Sequence, residues 1–345
     1  MDDDLCVLPA DEEGRVLDRL AALEQIIDAE AVRQALRVNP TRYRERACVL
    51  TREVMLWVVL AMGLFTHLPI RQVFKACRRL RPGEPTPHRA SLCLARRRLG
   101  IAPVRHLFQN TVRPLATPDT PGAFYKGLRL MAMDGTIYLV PDSEANAQAF
   151  GYPHGGRGAG AFPQLRKLSL VEVGTHVEVA FVLKGIGEPD SGEKSMAPAL
   201  FRHLRPDMLL IWDRGFFSYR LWHGVTATGA QVLARVQSRL VLRPVRHLAD
   251  GSYLAYLYPC ASFRNRDEGG LLVRVIRYTL NDPQRVGHGQ EHVLLTTLLD
   301  AEAYPAEELI VLYHERWEIE TTYRELKVEQ QLDGALRSRT PDGID

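Results

Sequence analysis

Between Leu128 and Val236 the hydrophobic pattern reads as strands broken by two helices. Leu128 to Met133 is a strand that ends at Asp134-Gly135-Thr136, and Tyr138 to Val140 continues it. A long Gly-rich loop follows from Gly151 to Gly160. Leu165 to Val173 and His176 to Leu183 alternate and meet at Gly174-Thr175, which predicts a hairpin. Glu193 to Leu204 is helical, Met208 to Trp212 a short buried strand, Phe217 to Thr228 a helix and Gln231 to Val236 a strand. From Ser238 to about Leu298 the text is rich in Val, Leu, Tyr and Gly with turn signals and no helical period, which predicts a β-rich insertion.

The chain before this reads differently. Arg15 to Ala35 has helical periodicity, Thr51 suits the N-cap of a buried helix reaching about Phe65, and Arg71 to Leu80 and Ser91 to Leu99 follow. Pro-rich text at 114–126 separates this helical stretch from the strands. The expected domains are therefore residues 1–120, helical and basic; 126–237 with 299–335, α/β; and 238–298, the insertion.

Composition adds charge to this picture. Formal net charge is only +3, but Thr41 to Leu115 holds 15 Lys+Arg against 3 Asp+Glu. Arg outnumbers Lys 38 to 6, as suits bidentate phosphate contact, although a GC-rich genome gives the same bias. Short helices around tight breaks, the last ending in Arg96-Arg97-Arg98, look like a helix-turn-helix DNA binder; a plain helical bundle with a solvated basic face is the alternative. Five cysteines without a CxxC pair fit a reducing compartment rather than a disulfide framework or structural zinc. The acidic start Met-Asp-Asp-Asp argues against a signal peptide, and the apolar run at Val54 to Phe65 is shorter than the about 20 residues that span a bilayer.

The chemistry concentrates near the end. Tyr313 to Lys327 reads as one helix after Pro305, with Glu307 and Glu308 in its opening turn. At about 100° per residue, Arg316, Glu320 and Lys327 fall within about 60° of Tyr313, beside an apolar stripe of Leu312, Ile319 and Leu326. A solvated face of ion pairs explains any one of these residues, but the four together carry the spacing Y-x2-R-x3-E-x6-K.

That spacing resembles the signature of bacterial DDE transposases of the insertion-sequence-4 family. Ala132-Met-Asp134-Gly-Thr and Leu209-Leu-Ile-Trp-Asp213-Arg-Gly-Phe-Phe look like the family's two Asp motifs, and the resemblance covers about residues 45 to 337. It implies an RNase H-like α/β fold with a mixed sheet, an all-α N-terminal domain before it and a β-rich insertion within it, and the strand-helix order above agrees. It implies catalytic, metal-holding carboxylates at Asp134, Asp213 and Glu320, and phosphate holders at Tyr313, Arg316 and Lys327. Three carboxylates without His or Cys partners favour Mg²⁺ or Mn²⁺, with Asp134 bridging two ions and Asp213 and Glu320 holding one each. The implied partners are double-stranded transposon ends and target DNA, with a homodimer on two ends, in a bacterial cytoplasm at the nucleoid.

Rival motifs are weaker. Gly187 to Ser195 is one residue off a P-loop and carries acids that repel a triphosphate; Gly155 to Gly160 is a loop; His288 and His292 lack a carboxylate at ligand spacing. Tyr253, Tyr256, Tyr258 and Phe263 read as core or strand pairs. The end at Asp345, 18 residues past Lys327, suggests truncation. Two alternatives stay open: an inactive DNA-binding remnant, and an RNase H-like nuclease acting on another nucleic acid.

Overall fold

A computed structural model describes residues 23, 25–41, 49–77, 86–155, 158–281, 288–315, 336 and 338–344. The chain divides into two compact units, Met1–Arg113 with Val140–Asn146 and Glu325–Asp345, and Pro114–Leu139 with Ala147–Arg324.

The described helices of the first unit are α1 (Ala29–Val38), α2 (Arg52–Leu64), α3 (Ile70–Ala76), α4 (Arg89–Leu99) and α5 (Ala102–Thr111). Asp28 caps α1 by accepting the Ala31 amide at 2.6 Å, and Thr51 caps α2 by accepting that of Val54 at 3.3 Å. Helix α2 is apolar nearly all round and is the centre of a core shared with Val32, Val73, Leu92, Leu99 and Leu107. Helix α4 starts two residues before the expected Ser91 and stops at Gly100, whose φ of +70° suits glycine. Pro103 in the first turn of α5 marks a helix start that the periodicity did not delimit.

The second unit is built on one sheet. Its strands are β1 (Phe124–Tyr125), β2 (Leu128–Leu139), then β5 (Gln164–Glu172), β6 (Glu178–Gly185), β7 (Met208–Trp212), β8 (Gln231–Val236), β9 (Pro244–His247), β10 (Tyr253–Leu257), β11 (Leu271–Thr279) and β12 (Glu291–Thr296), with β3 (His154–Gly155) and β4 (Gly158–Ala159) forming a small separate hairpin. The order across the sheet is β6-β5-β2-β7-β8-β12-β11-β10-β9, with β1 beside β2. Strands β6, β5 and β2 are antiparallel neighbours, while β7 lies parallel to β2 and β8 parallel to β7. This is the expected RNase H-like arrangement. The β-rich insertion adds its strands to the same sheet, because β12 pairs antiparallel with β8.

Local readings shift where longer-range partners decide. Strand β2 does not end at Asp134: Asp134, Gly135 and Thr136 pair with Ser169, Leu168 and Lys167 of β5, and this ladder outweighs the turn propensity of Asp-Gly. After β2 comes helix α6 (Glu144–Phe150), and the Gly151–Gly160 loop contains the β3–β4 hairpin. Glu193 to Leu204 splits into helix α7 (Glu193–Met196) and a 3₁₀ segment (Ala197–His203), because Pro198 has no N–H for an i−4 bond. Helix α8 (Tyr219–Thr226) is capped by Ser218, and the insertion holds a short helix, α9 (Ala261–Arg266).

The central strands of the sheet are buried on both sides. Met131, Met133, Leu210, Trp212 and Val232 pack with Met196, Leu200, Trp222 and Val225. The alternate residues Ala132, Leu209, Ile211 and Leu233 are also buried, on the other face. Helix α10 (Ala306–Glu315) packs against β8, and its Leu309, Leu312 and Tyr313 are buried.

The Pro-rich connection is pinned to this sheet. The fully buried Glu172 carboxylate accepts the amides of Leu115 and Ala116, both at 2.9 Å, and pairs with Arg129 and the Thr175 hydroxyl. Burial pushes this carboxyl up, but the Thr175, Ala116, Leu115 and Arg129 donors pull it further down, so it lies below the usual range. A depressed folded-state pKa stabilises above the unfolded value and is lost as pH falls through the folded one. Glu172→Gln should therefore cost about 2 kcal/mol at neutral pH. In urea unfolding followed from pH 7 to pH 3, the gap from wild type should narrow only below about 4.3, the unfolded pKa.

Candidate active site

The site begins with strand register. Arg129 to Ala132 of β2 pair in parallel with Met208 to Ile211 of β7, so Asp134 and Asp213 each stand two residues past the matched pair Ala132 and Ile211. Asp213 keeps extended backbone, with φ −85° and ψ 166°, before the chain turns into a 3₁₀ segment at Arg214–Phe216. The two acids are thus level on neighbouring strands that run about 4.8 Å apart, and the period of two puts both on the same face. Beyond this point β2 stays paired with β5 as far as Leu139, while β7 has ended. The carboxylates sit where the two strands part.

Hydrogen bonds fix both groups. Asp134 Oδ1 accepts the Gly135 amide at 2.8 Å. Asp213 Oδ1 accepts the Arg214 amide at 2.6 Å and the Tyr313 hydroxyl at 3.3 Å. Both acids are half-buried, whereas Tyr313 is only 5% exposed. Helix α10 thereby brings the first residue of the Y-x2-R-x3-E-x6-K spacing onto the second acid. The other three, Arg316, Glu320 and Lys327, lie outside the described residues.

The surroundings are polar on one flank and aromatic on the other. Ser169 faces Asp134 across the β2–β5 ladder. Its hydroxyl donates to Glu178 at 2.7 Å, and Lys167 donates to the same carboxylate at 2.6 Å. Tyr138, four residues along from Asp134 on the same face, is pushed up to about 12 by burial and by Glu178. On the other flank Tyr278 contacts His314 Nε2 at 3.1 Å and lies 5.4 Å, ring to ring, from buried His292. Burial pushes Tyr278 up to about 12, against the pull of Arg235. Both phenols are neutral at pH 7. Ser169, Lys167 and Glu178 were not among the expected site residues; the polar Ser169 within Leu168-Ser-Leu-Val171 was the available signal.

The donor set suits a hard divalent cation. Asp134 and Asp213 offer carboxylate oxygens from adjacent strands, and among the described residues no third His, Cys, Asp or Glu joins them in a group placed to hold a metal ion. Arg96, Arg97 and Arg98 form the last turn of α4 in the first unit. Arg97 and Arg98 are exposed, while Arg96 is half-buried, its Nη2 lying 3.1 Å from where a side chain on Gly343 would begin.

The RNase H-like sheet thus carries two aspartates level on its central parallel strands, a pair of carboxylates placed to share one hard cation. Comparison with known proteins gives the family. The Transposase DDE domain family matches residues 125–344, and Insertion element 4 transposase N-terminal matches residues 17–109. The chain belongs to the DDE transposases of the insertion-sequence-4 type and is a DNA transposase of an insertion sequence. Transposase InsG for insertion sequence element IS4, from Escherichia coli (strain K12), is 28% identical over 333 residues, 94% of this chain and 73% of that one. InsZ of the same strain is 24% identical over 171 residues, 48% of this chain and 54% of that one. Among solved structures, endonuclease V from Bacillus subtilis aligns over 67% of this chain and 92% of that one at 9% identity with a TM-score of 0.29, too weak a likeness to carry an argument. The family implies DNA as partner and a divalent metal as cofactor. No helix among the described residues is long and apolar enough to cross a membrane.

The Tyr313–Asp213 bond has a measurable weight. Tyr313→Phe keeps the buried ring and removes one donor, so it should lower the free energy of unfolding by about 1 kcal/mol, read as a shift in urea midpoint with unchanged slope.

Proposed function

We propose that Asp134, Asp213 and Glu320 hold the divalent cations of this transposase and carry both cleavage of the transposon ends and strand transfer. The observation that supports this most directly is the level placement of Asp134 and Asp213 on β2 and β7. Bound there, two Mg²⁺ or Mn²⁺ ions would activate an attacking water or 3′-hydroxyl and stabilise the leaving oxygen of an in-line displacement. The chain's own residues hold the carboxylates in place: the Gly135 and Arg214 amides orient Asp134 and Asp213, and the Tyr313 hydroxyl restrains the second from the helix side. Tyr313 and Leu312 are themselves buried on that helix, which holds the hydroxyl in place. In the first reaction the oxygen of water attacks phosphorus at the transposon end, and the bond to the 3′ oxygen breaks. In the second, the freed 3′-hydroxyl attacks a target phosphodiester, one P–O bond replacing another.

In this reading Tyr313, Arg316 and Lys327 hold the phosphates of the end. The basic helical unit, through Arg96, Arg97 and Arg98, contacts the backbone of the terminal repeats, a binding mode that weakens as salt rises. The protein acts as a homodimer on two ends, at the nucleoid of a bacterial cytoplasm.

The test is Mg²⁺-dependent cleavage of DNA carrying the matching terminal inverted repeat. Asp134→Asn and Asp213→Asn should each lower the cleavage rate by on the order of 10³-fold, several kcal/mol of transition-state stabilisation, with binding to the repeat kept. Chelation should abolish cleavage and added Mg²⁺ or Mn²⁺ restore it. Binding without cleavage, wild type and Asp134→Asn alike, would mean an inactive remnant. Cleavage without preference for the repeat, and without joining, would mean a nuclease.

A further inference from the structure

The insertion contributes a buried ion pair whose bonds lead to the start of helix α10. Arg274, in the middle of β11, is fully buried. Its Nε donates to Ser252 Oγ at 2.8 Å. Its Nη1 donates to three backbone carbonyls, those of Leu298 and Asp300 at 3.3 Å and that of Tyr304 at 2.6 Å. Its Nη2 pairs with Asp250 in the β9–β10 turn. Asp250 Oδ1 accepts the Ser252 amide at 3.2 Å and its hydroxyl at 2.5 Å. Asp250 Oδ2 accepts the amide of Ala306 at 2.9 Å.

That last bond is the informative one. Ala306 opens α10, and the first amides of a helix have no partner within it. The usual cap is a side chain one to three residues before. Here the cap is a carboxylate 56 residues earlier in the chain, placed at the positive end of the helix dipole. The three carbonyls bound by Arg274 belong to the connection that leads from β12 into the same helix. A buried guanidinium is costly and is tolerated only when its donors are satisfied, so its position is tightly defined. Seven residues separate Ala306 from Tyr313, close to two full turns, so both lie on the buried side of the helix. A slip of one residue at the start would move Tyr313 by about 1.5 Å along the axis and about 100° around it.

We propose that Asp250 and Arg274 are positioning residues for the catalytic helix: the insertion sets the rotation and axial position of α10, and so the reach of Tyr313 to Asp213. This rests on the catalytic reading above and adds to it a role for the insertion at the metal-binding face. Neither residue touches a reacting atom.

The experiment compares full-length wild type, Asp250→Ala and the isosteric Asp250→Asn, whose amide oxygen can still accept the Ala306 N–H. Single-turnover cleavage of terminal-repeat DNA, affinity for the same DNA without metal, and hydrogen exchange by mass spectrometry are measured on each. Asp250→Ala should slow cleavage at saturating DNA by on the order of tenfold to hundredfold, as a displaced catalytic geometry does. Its DNA affinity should stay within about twofold of wild type, since the loss falls on the transition state. Exchange should rise in residues 304–313 while 208–212 keep wild-type protection, and Asp250→Asn should recover most of the rate. Wild-type cleavage and protection in Asp250→Ala would overturn the proposal. So would parallel loss of cleavage, DNA affinity and protection at 208–212 in both variants, which marks a general structural role. Failure of wild type to cleave would strike instead at the catalytic reading itself.

Discussion

The parallel pairing of β2 with β7 is the constraint on which the site depends. A register error of one residue there would turn one aspartate to the opposite face, because side chains alternate with a period of two. The pairing is held from below by packing rather than by the acids. Met131, Met133, Leu210 and Trp212 lock the strands against Met196, Trp222 and Val225, with the Trp212 and Trp222 rings 6.4 Å apart, edge to face. Each aspartate follows the last of these residues on its strand by one position and so stands on the other face. Packing on one face thus fixes where the other face holds its carboxylates.

The same division explains why helix α10 belongs on the acid-bearing side. Its buried Leu309, Leu312 and Tyr313 cover apolar strand residues, and its phenol reaches a carboxylate where those strands separate. Lys126 and Tyr125 add contacts to Glu308 on this helix at 2.8 Å. The helix is therefore held along its length by apolar burial, near its start by Asp250, and at Tyr313 by Asp213.

Much of this was legible from local text. Asp134 and Asp213 announced themselves as acids next to apolar strand runs, Gly174-Thr175 as a hairpin, and Thr51 as a cap, since each depends on neighbours within a few residues. Most of what was not legible depends on distant partners. The continuity of β2 through Asp134-Gly135 comes from β5, some thirty positions on. The 3₁₀ character after Met196 turns on one proline, within a stretch whose apolar spacing suits either helix. Asp250 and Arg274 lie 24 positions apart, and nothing in either neighbourhood marks them as partners of each other or of Ala306. Glu320, Arg316 and Lys327 were conspicuous in sequence and lie outside the described residues.

The insertion's continuity with the main sheet bears on solubility. Strand β12 occupies the open side of β8, and further strands carry the sheet outward to β9. That final margin is four residues long, begins with Pro244, is exposed throughout, and faces an irregularity at Leu254 and Ala255. Such features discourage another molecule from adding a strand. Residues 238–298 therefore seal the hydrogen-bonding margin of the buried strand β8, and a minimal catalytic core cut from this chain without them would present that margin to its neighbours and tend to self-associate.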